Sequence, residues 1–282
     1  GGRRLLASPF KFTPSGKSGL EMSEVWPELS KMADELCVIR SMYTAAPAHG
    51  PATLIQTCGD FRLPKPSVGA WVVYGLGSMN QNLPAYVAMN PGGFPGEGPL
   101  NWQAAFMPGA YQGTYVDPNK DRIDQIIENI HSDLANAKDQ RAQLDLLSRL
   151  NEIHKQKRQG DGVLDARIQS FELAFRMQTA VPEVFDAAGE TRDTLDLYGP
   201  GEFAKGCLLA RRLVEQGVRV VQLSHSIDGY DIAWDTGHDD IAKGHAVLAK
   251  ACDQMDVLDQ RSQMASHYPQ DIGIFSAEDI PT

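Results

Sequence analysis

The chain has no apolar run that approaches the roughly 20 residues needed to cross a bilayer as a helix. Cysteine is scarce: 282 residues include four, and no two form a CxxC pair, which argues against a zinc ribbon or a thioredoxin-like motif. Positive charge is also scarce, because 26 Lys and Arg face 36 Asp and Glu, for a formal net charge of −10. These absences predict separate, mostly buried thiols, no membrane span and no nucleic-acid partner.

Familiar catalytic motifs are missing too. The sequence contains no Walker A loop, no GxGxxG, no G-x-S-x-G elbow and no HExxH. Nucleotide kinases, Rossmann dehydrogenases, serine esterases and zincins are therefore poorly supported. What is present is an ordinary globular composition, with 42% hydrophobic and 22% charged residues.

Helical and strand patterns follow each other in a way that predicts an α/β fold. An amphipathic helix over 202–216 ends at Gly217, and the apolar, β-branched run 218–223 follows it. This order predicts a helix–strand unit in a mostly parallel sheet, and the composition of the strand suits a central position with both faces buried. A helix over 24–36 and a short buried strand over 36–41 are also predicted.

In the rest of the chain, Gly and Pro residues predict loops and helix ends, and hydrophobic periodicity predicts helices. Residues 8–19 and 62–118 are rich in Gly and Pro and predict loops, with aromatic residues as packing anchors and a short helix near 68–75. Another helix is predicted from Pro51 to Cys58, where Gly59 stops it. Apolar stripes over 120–181 predict two or three long helices, which we interpret as a helical insertion.

The densest group of candidate metal ligands follows the predicted strand at 218–223. Three His and five Asp fall within 21 residues: His225, Asp228, Asp231, Asp235, His238, Asp239, Asp240 and His245. Imidazole and carboxylate are the ligands that zinc and similar metals take, and Thr236-Gly237 would let a turn aim Asp235 and His238 at one ion. The alternative is a polar loop before a helix, with Asp239 and Asp240 at its dipole. His245 lies too far along that helix to be expected as a ligand.

His49 is the second candidate. It lies between the predicted strand over 36–41 and the helix that begins near Pro51. Backbone N–H groups at a helix N-terminus can hold an anion or activate a nucleophile there. The alternative is a capping or packing histidine, and the residues by themselves leave both open.

Short segments of the sequence carry a resemblance to a known family. In order, from about residue 8 to residue 253, they read SPFKF, CVIRSM, HGPA, PSVGAWVVYGLGS, NQNLPAYV, NWQAAFMPGAYQGT, ARIQSFELAFRMQ, LYGPG, ARRLVEQGVRVVQLSH and WDTGHDDI. Together they resemble the bacterial family known as domain of unknown function 1501, a branch of the alkaline phosphatase and sulfatase-like superfamily. The resemblance implies a mostly parallel sheet flanked by helices and a site of one or two divalent metals, such as zinc or calcium.

The resemblance also implies a chemistry, the transfer or hydrolysis of phosphate or sulfate esters. Asp235 and His238 match the Asp and His of the family's metal-binding stretch, with one extra residue between them, and His225 matches the His after the strand. His49 stands where sulfatases carry the Cys or Ser that becomes formylglycine. Formylglycine chemistry is therefore disfavoured, and His49 is left to contact phosphate or metal, or to act as the nucleophile.

Two stretches of the family pattern have no counterpart in this sequence: an opening strand with a metal-binding Asp, and a later GGEFGR-like motif. We therefore interpret 1–282 as one partial, truncated alkaline-phosphatase-like domain, with a helical insertion over 119–200 and an atypical tail over 255–282. We expect a small-molecule ester as substrate, an extracytoplasmic location for the complete protein, and no activity from this chain as it stands. The alternative is a catalytically silent binding protein with the same fold.

Overall fold

A computed structural model describes residues 7–91, 97–120, 126, 137–157, 172–178, 181–182, 184–225 and 241–253. The chain forms two compact units. The hairpin unit takes its described residues from within 1–38, 192–200 and 237–282, and the sheet unit takes them from within 39–191 and 201–236. No helix in this described part is both long and apolar enough to cross a membrane.

A three-stranded parallel sheet organises the sheet unit. Its strands are β3 (Tyr86–Met89), β4 (Thr114–Val116) and β5 (Val220–Leu223), and their order is β4-β3-β5. Val87 pairs with Thr114 on one side and with Val221 on the other, so β3 is the middle strand. The prediction of an α/β protein with a parallel sheet is confirmed at this level.

The middle strand is buried on both faces. Val87 and Met89 point into one core and Tyr86 and Ala88 into another, because successive side chains of a strand alternate. The Tyr86 hydroxyl donates a hydrogen bond to Gln222 on β5. Burial raises the pKa of Tyr86 to about 12, so the phenol stays protonated and remains a donor.

Helices cover the two faces of the sheet. Numbered along the whole chain, those of the sheet unit are α2 (His49–Cys58), α3 (Val68–Leu76), α4 (Ala137–Lys157) and α6 (Glu202–Glu215). Leu209 and Leu213 of α6 join the core under Val87 and Met89, whereas Val73 of α3 packs with Tyr86 and Trp102. The result is a layer of helix on each side of the sheet.

The hairpin unit contains β1 (Phe12–Ser15), β2 (Leu20–Ser23), α1 (Pro27–Lys31), α5 (Arg192–Tyr198) and α7 (Ile241–Asp253). Hydrogen bonds to two carboxylates join parts of this unit. Asp34 accepts the backbone N–H groups of Lys17 and Ser18 in the turn of the antiparallel β1–β2 hairpin, at 2.8 and 2.7 Å. Asp253, at the end of α7, accepts those of Glu28 and Leu29 at the start of α1, at 2.9 and 2.8 Å. Both carboxylates supply a partner that the local backbone lacks.

Several boundaries follow the sequence-based predictions. Helix α2 ends at Gly59, which has the left-handed φ of +77°, and Gly217 takes a φ of +84° just after α6. Helix α3 begins at Val68, with the Ser67 side chain as its N-cap. Within 119–200 the described residues include α4 and the helical run 172–178, while the interpretation of that range as an insertion stays a prediction.

Two strand predictions are wrong. Residues 36–41 do not form a strand, and Val38 and Ile39 are 53% and 64% exposed. An apolar β-branched run needs a neighbouring strand for its hydrogen bonds, and no described strand pairs with this one. Strand β5 is not central either, because within the described sheet it has β3 on one side only and its residues are half-buried.

Regions predicted as loop or helix contain further differences. Segment 62–118 holds β3 and β4, whose brevity among Gly and Pro residues concealed them. Residues 8–19, predicted as a loop, contribute β1, and the helix predicted over 24–36 shrinks to α1 and a 3₁₀ turn at Ala33–Glu35. Of the four cysteines, Cys37 is exposed, Cys252 is half-buried, and Cys58 and Cys207 are buried, all as free thiols.

Candidate functional site

The carboxyl ends of the three parallel strands meet at one edge of the sheet, which we call the carboxyl edge. The residues that directly follow the strands there are Asn90, Asp117 and the pair Ser224-His225. Because Met89 pairs with both Val116 and Leu223, these residues leave the sheet side by side, and the Ser224 N–H donates to the Met89 carbonyl at 3.0 Å. Ligand chemistry gathers at this position in open α/β sheets.

His225 is packed at this edge against α6. Its imidazole makes an edge-on contact with the Phe203 ring, with 4.4 Å between ring centroids. Burial lowers the pKa of His225 below its usual value, so the ring is neutral at pH 7. A neutral imidazole is the form that coordinates a metal or accepts a proton.

Asn90 is the most deeply buried polar residue of the edge. It is 2% exposed, and neither its amide oxygen nor its amide nitrogen has a hydrogen-bond partner among the residues that the structure describes. A buried amide without partners is destabilising by about 1–3 kcal/mol, so such groups call for an explanation. The adjacent Pro91 lies against α6 at Gly206, where an added Cβ would come within 3.1 Å of it.

Asp117 follows β4 and is tied to its own loop. Its carboxylate accepts the Asn119 N–H at 3.0 Å and lies 3.9 Å from the Lys120 ammonium. Its backbone N–H donates to the Ile126 carbonyl at 3.0 Å. These contacts fix the loop, and the described residues occupy only part of the carboxylate, because each carboxylate has about four acceptor positions.

His49 begins α2, as the sequence predicts, and its side chain is exposed. The N-cap, Ala48, has no side chain that could accept the first backbone N–H groups. The Glu97 carboxylate instead lies against this helix start, so close to Gly50 that a Cβ there would overlap it. A carboxylate is the side-chain group that a helix N-terminus favours. Glu97 itself has a left-handed φ of +68°.

Two predicted ligands cannot be placed, because Asp235 and His238 lie within 226–240, outside the described residues. His225 lies at the carboxyl edge, directly after a strand, as predicted. Sequence reasoning missed Asn90 and Glu97. In the sequence, Asn90 stands out only as a polar residue before Pro91. This would point to a site residue only if the end of β3 at Met89 were already known.

The kinds of group at the carboxyl edge fit a divalent metal. They comprise a neutral imidazole, a buried amide without partners and a carboxylate. Across the described residues, no three His, Cys, Asp or Glu side chains are grouped closely enough to hold an ion by themselves. A metal bound at this edge would therefore need ligands from residues beyond them, and Asp235 and His238 follow His225 within thirteen positions.

Comparison with known proteins gives one result. The model of a family described as protein of unknown function, DUF1501, matches residues 2–258. No curated protein and no solved structure matches the chain.

Proposed function

Because the chain belongs to the DUF1501 family, we propose that its carboxyl edge is the site of a metal-dependent hydrolase of phosphate or sulfate esters. We propose that the complete fold is alkaline-phosphatase-like. The parallel sheet and its two helical layers support this proposal. The substrate is a small-molecule ester, and the cofactor is a divalent metal such as zinc or calcium.

The observation that carries this proposal is the convergence of Asn90, Asp117 and His225 on one edge of the sheet. Adjacent parallel strands deliver these three side chains from positions far apart in the sequence. The edge thus carries a neutral imidazole and a buried amide that no described residue engages by a hydrogen bond, and a polar ligand would stabilise such an amide. Structural packing alone gives no reason to bury the Asn90 amide in this way.

We assign His225, Asp235 and His238 as the metal ligands. A divalent metal in such a site polarises the ester oxygen and lowers the pKa of bound water. His225 contributes a ring that Phe203 orients and that burial keeps neutral. His49, the exposed first residue of α2, would contact the negatively charged oxygens of the ester.

Metal content and turnover test this assignment together. The purified chain is dialysed, loaded with zinc or calcium, analysed for bound metal, and assayed with an aryl phosphate and an aryl sulfate. Asp235→Ala, His238→Ala and His225→Ala are each expected to reduce metal affinity by more than the roughly 10- to 100-fold that loss of a residue orienting a ligand causes. His245→Ala, which changes an imidazole on α7, is the matched control and should leave metal binding intact.

A chain that binds neither metal with a dependence on Asp235 or His238 would contradict the assignment. Turnover that persists in EDTA and in all three ligand variants would contradict metal dependence. The expectation from the sequence that this chain is inactive stays a prediction, and the same assay decides it.

The second candidate function is a catalytically silent binding protein with the same fold. It is favoured by one feature of the sequence, that His49 stands where sulfatases carry the Cys or Ser that becomes formylglycine. This candidate predicts no metal-dependent turnover with either ester at any metal concentration. Turnover that is lost on chelation and restored by zinc or calcium would exclude it.

A further inference from the structure

A cleft lies at the opposite edge of the sheet from the proposed hydrolase site. Its volume is about 590 Å³, within the range of roughly 300–1,000 Å³ that small-molecule sites occupy. It is lined by 83–85, which precede β3, by 109–112 and Thr114, which lead into β4, by the end of α3, and by the helical run 172–178. We call it the amino-edge cleft, because the strands begin there.

Two amide side chains in the walls of this cleft, those of Asn80 and Gln112, are already engaged by the protein. The Gln112 amide donates to the Trp102 carbonyl at 2.9 Å and accepts the Ala104 N–H at 2.8 Å. The Asn80 oxygen accepts the Leu83 N–H at 3.1 Å, and its nitrogen donates to the Gln216 carbonyl. These residues therefore form the walls of a preformed cleft rather than its binding groups.

Five side chains at the cleft keep polar groups that no other described residue engages by a hydrogen bond. They are the hydroxyls of Tyr74, Tyr111 and Thr114, the Gln81 amide and the guanidinium of Arg176. Glu172, four positions before Arg176, interacts with its charge, but its carboxylate is hydrogen-bonded by Arg141 at 2.8 and 2.6 Å. Among the described residues, no carboxylate forms an ion pair with the Arg176 guanidinium.

The charge of the cleft is opposite to that of the chain. Arg176 is the only charged residue among the described residues that line it, and no lining Asp or Glu offsets it. The chain as a whole has a formal net charge of −10. A single arginine at an open cleft without carboxylates favours a ligand with one anionic group, since a guanidinium can bind a carboxylate through two parallel hydrogen bonds.

Aromatic rings surround the same cleft. The Tyr74 and Tyr111 rings meet edge-on with 5.5 Å between centroids, and Trp71 contacts Tyr74 at 6.1 Å. Tyr74 is 58% exposed, so part of its ring remains accessible beside these contacts. Exposed tyrosine rings favour a flat or cyclic apolar group beside them.

We propose that the amino-edge cleft is a binding site for a small organic anion in which a carboxylate is attached to a flat ring. The carboxylate pairs with Arg176, and the ring lies against Tyr74 and Tyr111. This site is separate from the carboxyl edge and needs no metal. It does not depend on the hydrolase proposal, and it is compatible with either candidate function.

Calorimetric titration of the full chain with three matched probes tests this proposal. The probes are 4-hydroxyphenylacetate, its neutral amide, and cyclohexylacetate, all measured in EDTA. We expect saturable binding of the aryl carboxylate, affinity at least about tenfold weaker for the amide because the charge-assisted pair is lost, and weaker binding of the saturated ring. This comparison uses only the unaltered protein, so it does not depend on the folding of a variant.

Variants then locate the site. Arg176→Gln is expected to weaken binding of 4-hydroxyphenylacetate at least about tenfold, whereas Arg149→Gln, an exposed arginine of α4, should leave it unchanged. Tyr74→Ser should remove the preference for the aromatic over the saturated ring. His225→Ala should have no effect.

Three results would overturn the proposal. The first is an absence of saturable binding of the aryl carboxylate at millimolar concentration. The second is equal affinity for the carboxylate and the amide. The third is binding that is lost in His225→Ala and kept in a folded Arg176→Gln protein, which would place the ligand at the carboxyl edge.

Discussion

Each of the two units of this chain is stabilised internally, and the interactions that do so differ between them. The sheet unit contains a middle strand with residues at most 2% exposed, covered on both faces by side chains from helices. In the hairpin unit, β1, β2 and α1 are short, and α1 buries none of its residues. Its described links include two carboxylates, those of Asp34 and Asp253, that accept backbone N–H groups from distant turns.

This difference predicts which changes destabilise each unit. A packed core resists changes of charge outside it but is sensitive to volume, since its side chains have no free space. A unit held by carboxylates is sensitive to protonation and tolerates changes of volume at its surface. Four substitutions test this contrast, from the largest expected effect to the smallest.

Glu190→Ala should be the most damaging change, because it tests a buried charge cluster in the sheet unit. Glu190 accepts hydrogen bonds from Arg211 and Arg212, and all three side chains are at most 19% exposed. Removing the acid takes away the buried anion that the two arginines share, a loss of about 3 kcal/mol in the free energy of unfolding. Urea denaturation at pH 7 measures it. Glu215→Ala, which removes the 46% exposed partner of Arg211, is the control and should change little.

The pH dependence of this effect has a definite sign. Burial by itself would raise the pKa of Glu190, but the hydrogen bonds from Arg211 and Arg212 outweigh it and the pKa is lowered. The stability that Glu190 contributes is therefore present above its ordinary pKa and is lost as pH falls through the lowered one. The difference between the wild type and Glu190→Ala should shrink toward acid pH, and a difference that grows there would contradict the assignment.

Gly69→Ala should be the next most damaging change. A Cβ at Gly69 would overlap the Tyr86 ring, which is 2% exposed and cannot move away. Overpacking of this kind is destabilising by about 1–3 kcal/mol, measured as a lower thermal midpoint. Gly75→Ala on the same helix meets nothing within 4 Å and should be neutral or slightly stabilising. Equal effects of the two substitutions would mean that the core is not packed as described.

Asp253→Ala tests the hairpin unit. The carboxylate caps α1 and is 6% exposed, so its removal leaves the N–H groups of Glu28 and Leu29 without their acceptor. Loss of a cap is destabilising by about 0.5–2 kcal/mol. Hydrogen exchange of those two amides should accelerate while the amides of β3 stay protected. Asp196→Ala, at the end of an exposed ion pair on α5, should leave both unchanged. Acceleration in β3 instead would break the distinction between the units.

The smallest effect is expected at Asp34. The N–H groups of Lys17 and Ser18 lower the pKa of its carboxyl, so this contribution is present at neutral pH and is lost as pH falls through the lowered pKa. The chemical shifts of the Lys17 and Ser18 amides should follow that titration. Asp34→Asn should abolish it, and Glu35→Gln should not. Shifts that titrate unchanged in Asp34→Asn would assign them to another group.

The contrast between local and long-range causes also explains what the sequence could predict. The ends of α2 and α6 depend on Gly59 and Gly217, whose left-handed backbone is a property of the residue itself. Strand β3 could not be predicted in the same way. Its four residues are buried by α3, α6 and Trp102, which come from other parts of the sequence.

The residues of the candidate site also differ in whether local sequence or long-range pairing positions them. The position of His225 after a strand was predictable, because the helix, glycine and β-branched run before it form one local pattern. Asn90 was not, since its burial and its place beside Ser224 follow from the pairing of β3 with β5. The cleft was missed for the same reason: Arg176 lies 102 positions after Tyr74, and only the fold brings both to one opening.

The distribution of the four thiols has a practical consequence for following this protein by spectroscopy. Cys37 is the exposed one, and it stands two positions before Ile39, where the chain passes from one unit to the other. Cys58 and Cys207 are shielded, and burial raises the pKa of Cys252 to about 11, which suppresses its reactive thiolate. A maleimide dye offered in limited amount at neutral pH should therefore attach at Cys37, and a single fluorophore at that junction would report on either unit's unfolding without any engineered cysteine.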